Sequence, residues 1–377
     1  MSAPRSLGVG MVGYAFMGRA HSSAWRTIAH QEGVGIAPRM VAVCGRDAAA
    51  TEAAAHRLGW AAFETDWRAL IARDDVDLVD ICTPGATHAP IAIEALRAGK
   101  HVLCEKPLAN TVEEAQEMVR AAEGTPASIA MVGFNYRRIP ALALARRLVE
   151  AGTLGRLRQV RAVYLQDWLV DPAFPMTWRL RREQAGSGAL GDLGAHIVDL
   201  VQYLSGERVA EVAGRAATFV QERAGDGGRP EAVTVDDAVL FSAALTGGAI
   251  ASFEATRFAT GSKNALRVEL DGQDGALRFD LERLNELEIY ERSQAHAGFR
   301  RVLVTEPDDP YLSAWWPPGH VLGWEHTFVH QARDLLGGIA AATPVAPTFA
   351  DGLAVQRVLA AVEESARDGG RQTPVAS

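Results

Sequence analysis

Cysteine is scarce in this chain: three residues in 377, Cys44, Cys82 and Cys104, with no C-x-x-C spacing. An odd count without paired spacing argues against a disulfide framework and against a cysteine-based zinc site, leaving three small hydrophobes. Long apolar runs are missing as well. Nothing approaches the roughly 20 residues a membrane helix needs, and Met1-Ser2-Ala3-Pro4-Arg5 enters an apolar strand too short for the core of an export signal. A cytoplasmic chain with no membrane partner is expected. Basic clusters are absent too, with 38 Lys and Arg against 46 Asp and Glu and a net charge of −8. That balance disfavours nucleic acid and anionic lipid and points to a small-molecule partner. What is present is an ordinary globular composition, 48% hydrophobic and 22% charged, long enough for two cores.

The first third alternates strand and helix patterns. Leu7 to Val12 is a strand, Arg19 to Ala29 a helix, Val41 to Cys44 a strand and Ala48 to Leu58 a helix. Asp77 to Cys82, the Ala86 to Ala98 helix and the strand at His101 to Cys104 continue the series. A further helix opens with a capping box at Thr111 and Glu114. Repeated βα units force a parallel, doubly wound sheet, expected to end near residue 125. From residue 126 to 377 the texture changes to strands joined by glycine turns, which predicts an α/β domain with a large, mostly antiparallel open sheet. Residues 224–231 read as a polar, glycine-rich loop.

Four stretches carry chemistry. Gly13-x-Ala15-x-x-Gly18, with Phe16 and Met17 inside it, is the G-x-G-x-x-G/A dinucleotide turn with alanine at its middle glycine. A strand before and a helix after supply the context in which N-terminal N–H groups hold a pyrophosphate. The second strand ends in Cys44-Gly45-Arg46-Asp47, where an acid that takes the ribose of NAD is replaced by an arginine suited to a 2′-phosphate. NAD or NADP is therefore the expected cofactor, with a lean to NADP. The run ending in Glu105-Lys106-Pro107 puts Lys106 beyond the carboxyl end of a buried strand, where ligands of such sheets sit. The fourth stretch, Gly186 to Asp199, sets Leu193, Ile197, Leu200, Val201 and Leu204 on one helical stripe and Asp192, His196 and Asp199 on a neighbouring face. These three could serve as metal ligands, but no further ligand cluster supports a metal.

Gly13 to His21, then Cys82-Thr83-Pro84 with His88, then Glu105-Lys106-Pro107, resemble the Gfo/Idh/MocA family of NAD(P)-dependent sugar and polyol oxidoreductases. The resemblance implies a Rossmann domain followed by an α/β domain whose sheet forms a homodimer or homotetramer interface. It implies that Thr83, Pro84, His88 and Glu105 border the cofactor and that Lys106 is the catalytic lysine beside the nicotinamide. It also implies that Asp192 and His196 share that site. Asn135 to Arg138, Trp178-Arg179-Leu180 and the Gly186 to Asp192 run look most like the branch holding inositol and levoglucosan dehydrogenases. That likeness implies Tyr136 as a substrate-binding candidate, and flat aromatics beside polar groups, which suit a sugar's apolar face and its hydroxyls, add Trp168, Trp178, Arg179, His320 and Trp324. The expected reaction is hydride transfer between a secondary alcohol and NAD(P). A redox-cycling, NAD-retaining glycoside hydrolase and a ligand-sensing protein on the same fold are the alternatives. A zinc alcohol dehydrogenase lacks its cysteines.

Overall fold

Short apolar strands bounded by glycine and proline, separated by amphipathic helices, leave few ways to bury both kinds of face, and the chain uses two of them. The structure is a computed structural model that describes residues 5–31, 33–294, 296 and 298–376. Residues 1–4, on which the argument about export signals rested, lie outside the described residues. The elements in order are β1 (Arg5–Val12), α1 (Phe16–Ile28), β2 (Ile36–Cys44), α2 (Ala48–Leu58), β3 (Ala62–Glu64), α3 (Trp67–Ile71), β4 (Leu78–Ile81), α4 (His88–Arg97), β5 (His101–Cys104), α5 (Val112–Glu123) and β6 (Ala130–Val132). They continue as α6 (Pro140–Glu150), β7 (Leu157–Leu165), α7 (Arg182–Ala185), α8 (Ala195–Ser205), β8 (Val209–Ala217), β9 (Glu222–Ala224), β10 (Pro230–Ala232), β11 (Ala238–Leu245), β12 (Ile250–Thr256), β13 (Ala265–Gly272), β14 (Gly275–Asp280), β15 (Glu286–Glu291), β16 (Arg300–Leu303), α9 (His326–Ala341), α10 (Phe349–Arg367) and β17 (Thr373–Pro374).

The chain divides into two units, Met1–Asn135 with Gly323–Ala354, and Tyr136–Leu322 with Val355–Ser377. In the first, an all-parallel sheet runs β3-β2-β1-β4-β5-β6, the Rossmann order, with its reversal between β1 and β4. Strand β4 and all but the first residue of β5 are buried, as helix-covered parallel sheets require. The division differs from the sequence expectation at two places. β6 pairs in parallel with β5 instead of opening the second domain, and residues 323–354 return to the first unit, where Val132 N–H donates to the Pro347 carbonyl. Hydrophobic pattern marks a strand but carries no record of its sheet, so neither was legible locally.

In the second unit nine of the described strands form one large sheet, β16-β15-β14-β13-β7-β12-β11-β8-β17, and β9 and β10 form a separate pair. Every pairing is antiparallel except β7 with β12. Alternate residues of β7, Val160, Ala162 and Tyr164, are buried, as period two demands of a sheet covered on one face. Residues 224–231, expected as a loop, include a small hairpin in which β10 pairs with β9.

Candidate active site

The first unit builds a dinucleotide cradle from backbone. Gly13 has φ +97°, and a Cβ there would stand 2.8 Å from the Cys82 carbonyl oxygen; at Gly18 one would stand 2.2 Å from the Gly13 carbonyl oxygen. Only glycine fits either place. The turn therefore brings the ends of β1 and β4 together at the crossover of the sheet. Helix α1 begins at Phe16 with Ala15 as its N-cap, no side-chain cap and no acid in its first turn. Its N-terminal dipole faces outward without a built-in anion, so the residues fit a pyrophosphate. Phe16 is exposed and stacks on Trp324 at 5.7 Å and 17°. Trp324, expected as a substrate residue, thus belongs to the dinucleotide unit.

At the end of β2, Asp47 is committed to helix α2, accepting from Ala50 N–H at 2.8 Å. Arg46 is exposed, and the space where a Gly45 side chain would be is filled by the Tyr14 ring. Thr83 and Pro84 lead into a tight turn at Gly85–Thr87. His88 is buried, with Nε2 2.8 Å from the Thr83 carbonyl and Nδ1 3.0 Å from the Pro107 carbonyl. Burial holds its pKa below the ordinary value against those hydrogen bonds. His88 therefore braces the Thr83 turn against the Lys106-Pro107 turn, whose peptide is cis. Glu105 is buried as well, and its Oε2 accepts Lys106 N–H at 3.2 Å.

The second unit holds the other candidates. The segment read as one regular helix starts instead with a π-helical turn, Leu190–Gly194, and α8 follows. Asp192 lies in the π turn and His196 in the first turn of α8. Such wide turns cluster at functional sites. Asp236 anchors the approach: its carboxylate accepts Gly188 N–H at 2.7 Å and Leu190 N–H at 2.8 Å. Gly188 is obligatory, since a Cβ would lie 1.7 Å from the Asp236 carbonyl oxygen. The predicted stripe of Leu193, Ile197, Leu200, Val201 and Leu204 is buried throughout.

Tyr136 lies 4.6 Å from the His196 ring, centroid to centroid, and Tyr164 lies 5.9 Å from it. A polar chain leads away: the Tyr136 and Tyr164 hydroxyls are 2.9 Å apart, Tyr164 donates to Asn264 Oδ1 at 2.7 Å, Gln166 Nε2 donates to the same oxygen at 2.7 Å, and Trp168 Nε1 donates to Gln166 Oε1 at 3.0 Å. Burial, followed by the Tyr136 hydroxyl and the Asp192 charge, holds Tyr164 well above the ordinary phenol range. It stays a neutral hydrogen-bonding group. Asp199 lies in a buried fork with Arg137 Nε and Nη2. Trp168 packs edge-on against Phe174, and Trp178 carries the Arg179 guanidinium 4.4 Å over its ring. His320 is exposed and engages the Pro317 carbonyl within its own loop. Sequence reasoning missed Tyr164, Gln166, Asn264 and Asp236, because sheet pairing alone gathers them.

A glycine cradle at the sheet crossover, with a lysine carried out at the end of β5, makes the first unit the nucleotide half of a nicotinamide-dependent oxidoreductase. Residues 7–134 match the family described as "Oxidoreductase family, NAD-binding Rossmann fold", and residues 142–278 match "GFO/IDH/MocA C-terminal domain". The chain is 39% identical to the levoglucosan dehydrogenase of Pseudarthrobacter phenanthrenivorans over 379 residues, covering 96% of each. Among solved structures, an oxidoreductase domain protein from Kribbella flavida superimposes with a TM-score of 0.97 at 56% identity, covering 99% of this chain and 100% of that one. A levoglucosan dehydrogenase in complex with NADH and levoglucosan gives 0.95 at 39% identity, with the same coverage. The chain belongs to the Gfo/Idh/MocA family and is an NAD-binding oxidoreductase.

Proposed function

We propose that this enzyme transfers a hydride between a secondary alcohol of a sugar, anhydrosugar or cyclic polyol and a nicotinamide dinucleotide. The observation that carries the reading is Lys106, delivered just past β5 in the same sheet whose crossover forms the glycine cradle. When bound, the dinucleotide supplies the hydride acceptor at nicotinamide C4. An imidazole nitrogen of His196 takes the hydroxyl proton, Lys106 binds and polarises the reacting oxygen or shares that proton, and Asp192 orients substrate and neighbours. The Tyr136, Gln166, Asn264 and Trp168 chain supports a polyhydroxylated substrate, since it mixes flat rings with paired donors and acceptors. The levoglucosan dehydrogenase relative supports the same class.

Exposed Arg46, with Asp47 committed to its helix, supports NADP, while the NADH-bound relative supports NAD; Arg46 is proposed as the reader of a 2′-phosphate. A homodimer or homotetramer through the second unit's sheet is supported by Leu240 and Ile250, which stand 54% and 60% exposed on its uncovered face beside Ser242 and Ser252. Light scattering of Leu240→Glu would show a smaller particle if this holds. Three free, buried cysteines support a cytoplasmic enzyme, checked by cell fractionation.

The test is a panel of inositols, aldoses and anhydrosugars with NAD and NADP, followed by the absorbance of reduced nicotinamide. Reduced cofactor accumulating with one sugar class is the expected result. A glycoside cleaved without net reduction would replace the reading with the redox-cycling hydrolase, and sugar binding without turnover in either direction would replace it with a sensor.

A further inference from the structure

No step of the proposed reaction uses His21, yet both of its ring nitrogens meet buried carboxyl groups. It sits on α1, less than one turn past Gly18, and is 2% exposed. Nδ1 lies 2.9 Å from Asp80 Oδ1, and Nε2 lies 3.0 Å from Glu105 Oε1. The remaining carboxyl oxygens also meet donors: Trp25 Nε1–H reaches Asp80 Oδ2 at 2.7 Å, and Lys106 N–H reaches Glu105 Oε2 at 3.2 Å. Between two carboxylates, a neutral imidazole with its single N–H can satisfy only one of them, whereas an imidazolium with two N–H groups satisfies both. Burial pulls its pKa down, but the charges and hydrogen bonds of Asp80 and Cys82 together outweigh burial and hold it well above 6.5. The titratable groups facing it are Asp80 and Cys82, on β4 and just past it, and Glu105 at the end of β5. Phe328 of α9 closes the ring's face at 5.3 Å.

The arrangement has a mechanical sense. Helix α1 begins at the dinucleotide turn, β4 leads into Thr83-Pro84, and Glu105 precedes Lys106. We propose that His21 is a positioning residue for Lys106: a buried imidazolium that grips Asp80 and Glu105 and so ties the cofactor helix to the turn that presents the lysine. Gly133 tightens the grip, since a Cβ there would stand 2.9 Å from Glu105 Oε1. The inference rests on the reading of Lys106 as catalytic.

The experiment compares His21→Gln, Glu105→Gln, the double variant and Lys106→Met, each assayed with dinucleotide bound and normalised by dinucleotide fluorescence titration. His21→Gln lowers kcat about 10²-fold, the scale of an ångström-sized misplacement, with the dinucleotide KM within about threefold. The double variant is no slower than the worse single, because both substitutions cut one clamp. Wild-type kcat in His21→Gln, or losses that multiply in the double, overturns the proposal. If His21→Gln fails to fold, the double variant, with one carboxylate fewer to compensate, decides: a loss of about 10²-fold with KM retained sustains the clamp, and wild-type kcat overturns it. ¹⁵N spectra of histidine-labelled holoenzyme at about pH 8 show both His21 nitrogens protonated, and a neutral tautomer overturns the imidazolium. Near wild-type turnover in Lys106→Met sinks the lysine reading itself, whereas an inactive Lys106→Met beside a normal His21→Gln sinks only the clamp.

Discussion

Replacing Arg137 with methionine removes one side of a buried ion pair in the second unit. Arg137 and Asp199 have side chains 9% and 1% exposed, and Nε alone reaches the two Asp199 oxygens at 3.1 and 2.9 Å. Both ions are already desolvated, so Arg137→Met removes a counterion from the buried Asp199 carboxylate. Such losses run to about 3–5 kcal/mol. For a unit of about 200 residues, each kcal/mol moves Tm by about 2–4 °C, which predicts a fall of about 6–20 °C for that unit's transition. Differential scanning calorimetry measures it. The double variant Arg137→Met/Asp199→Leu should recover most of the loss, because two apolar residues carry no desolvation penalty. The functional consequence follows from chain geometry. Asp199 lies three residues after His196 on α8, so the pair helps fix the helix that carries the proposed base. A single-variant shift below about 2 °C, or a double variant no better than the single, would refute this reasoning.

Lys106→Met should retain dinucleotide binding and lose orders of magnitude in kcat, since a transition-state contact disappears; turnover near wild type in stopped-flow assays would remove Lys106 from the mechanism. In His196→Asn the rise of kcat/KM with pH should flatten, and an unchanged profile would transfer the base role to Lys106. Arg46→Ala should raise KM for NADP far more than for NAD, and equal effects would show that Arg46 reads no phosphate. The stability linked to His21 has a definite sign. Its folded pKa is raised, so its contribution is full below about 6.5 and is lost as pH rises through the folded value. Wild type should therefore lose Tm on alkaline titration more steeply than His21→Gln/Glu105→Gln, and parallel curves would exclude that linkage.

Residues close together in sequence carried their own structural instructions. The Gly13–Gly18 turn was legible because only glycine takes φ +97° against the Cys82 carbonyl, and the Thr111 capping box because its two partners are three residues apart. Period-two and period-3.6 patterns marked the Rossmann strands, the antiparallel sheet and the apolar stripe of α8. The Lys106 turn and the family were readable for the same reason, each resting on short motifs. Charge in a buried strand was a signal too, since Asp80 stands within Leu78-Val79-Asp80-Ile81, but its partners His21 and Trp25 lay 59 and 55 residues before it. Only tertiary structure could show that His21 spans Asp80 and Glu105, or that Asp199 belongs to Arg137. It alone revealed that Asp236 anchors a π turn and that residues 323–354 return to the first unit. A buried hydrogen-bonding or charged group must find a partner, but the chain specifies only that requirement; which residue meets it depends on strand order and register, and those are settled by the fold as a whole.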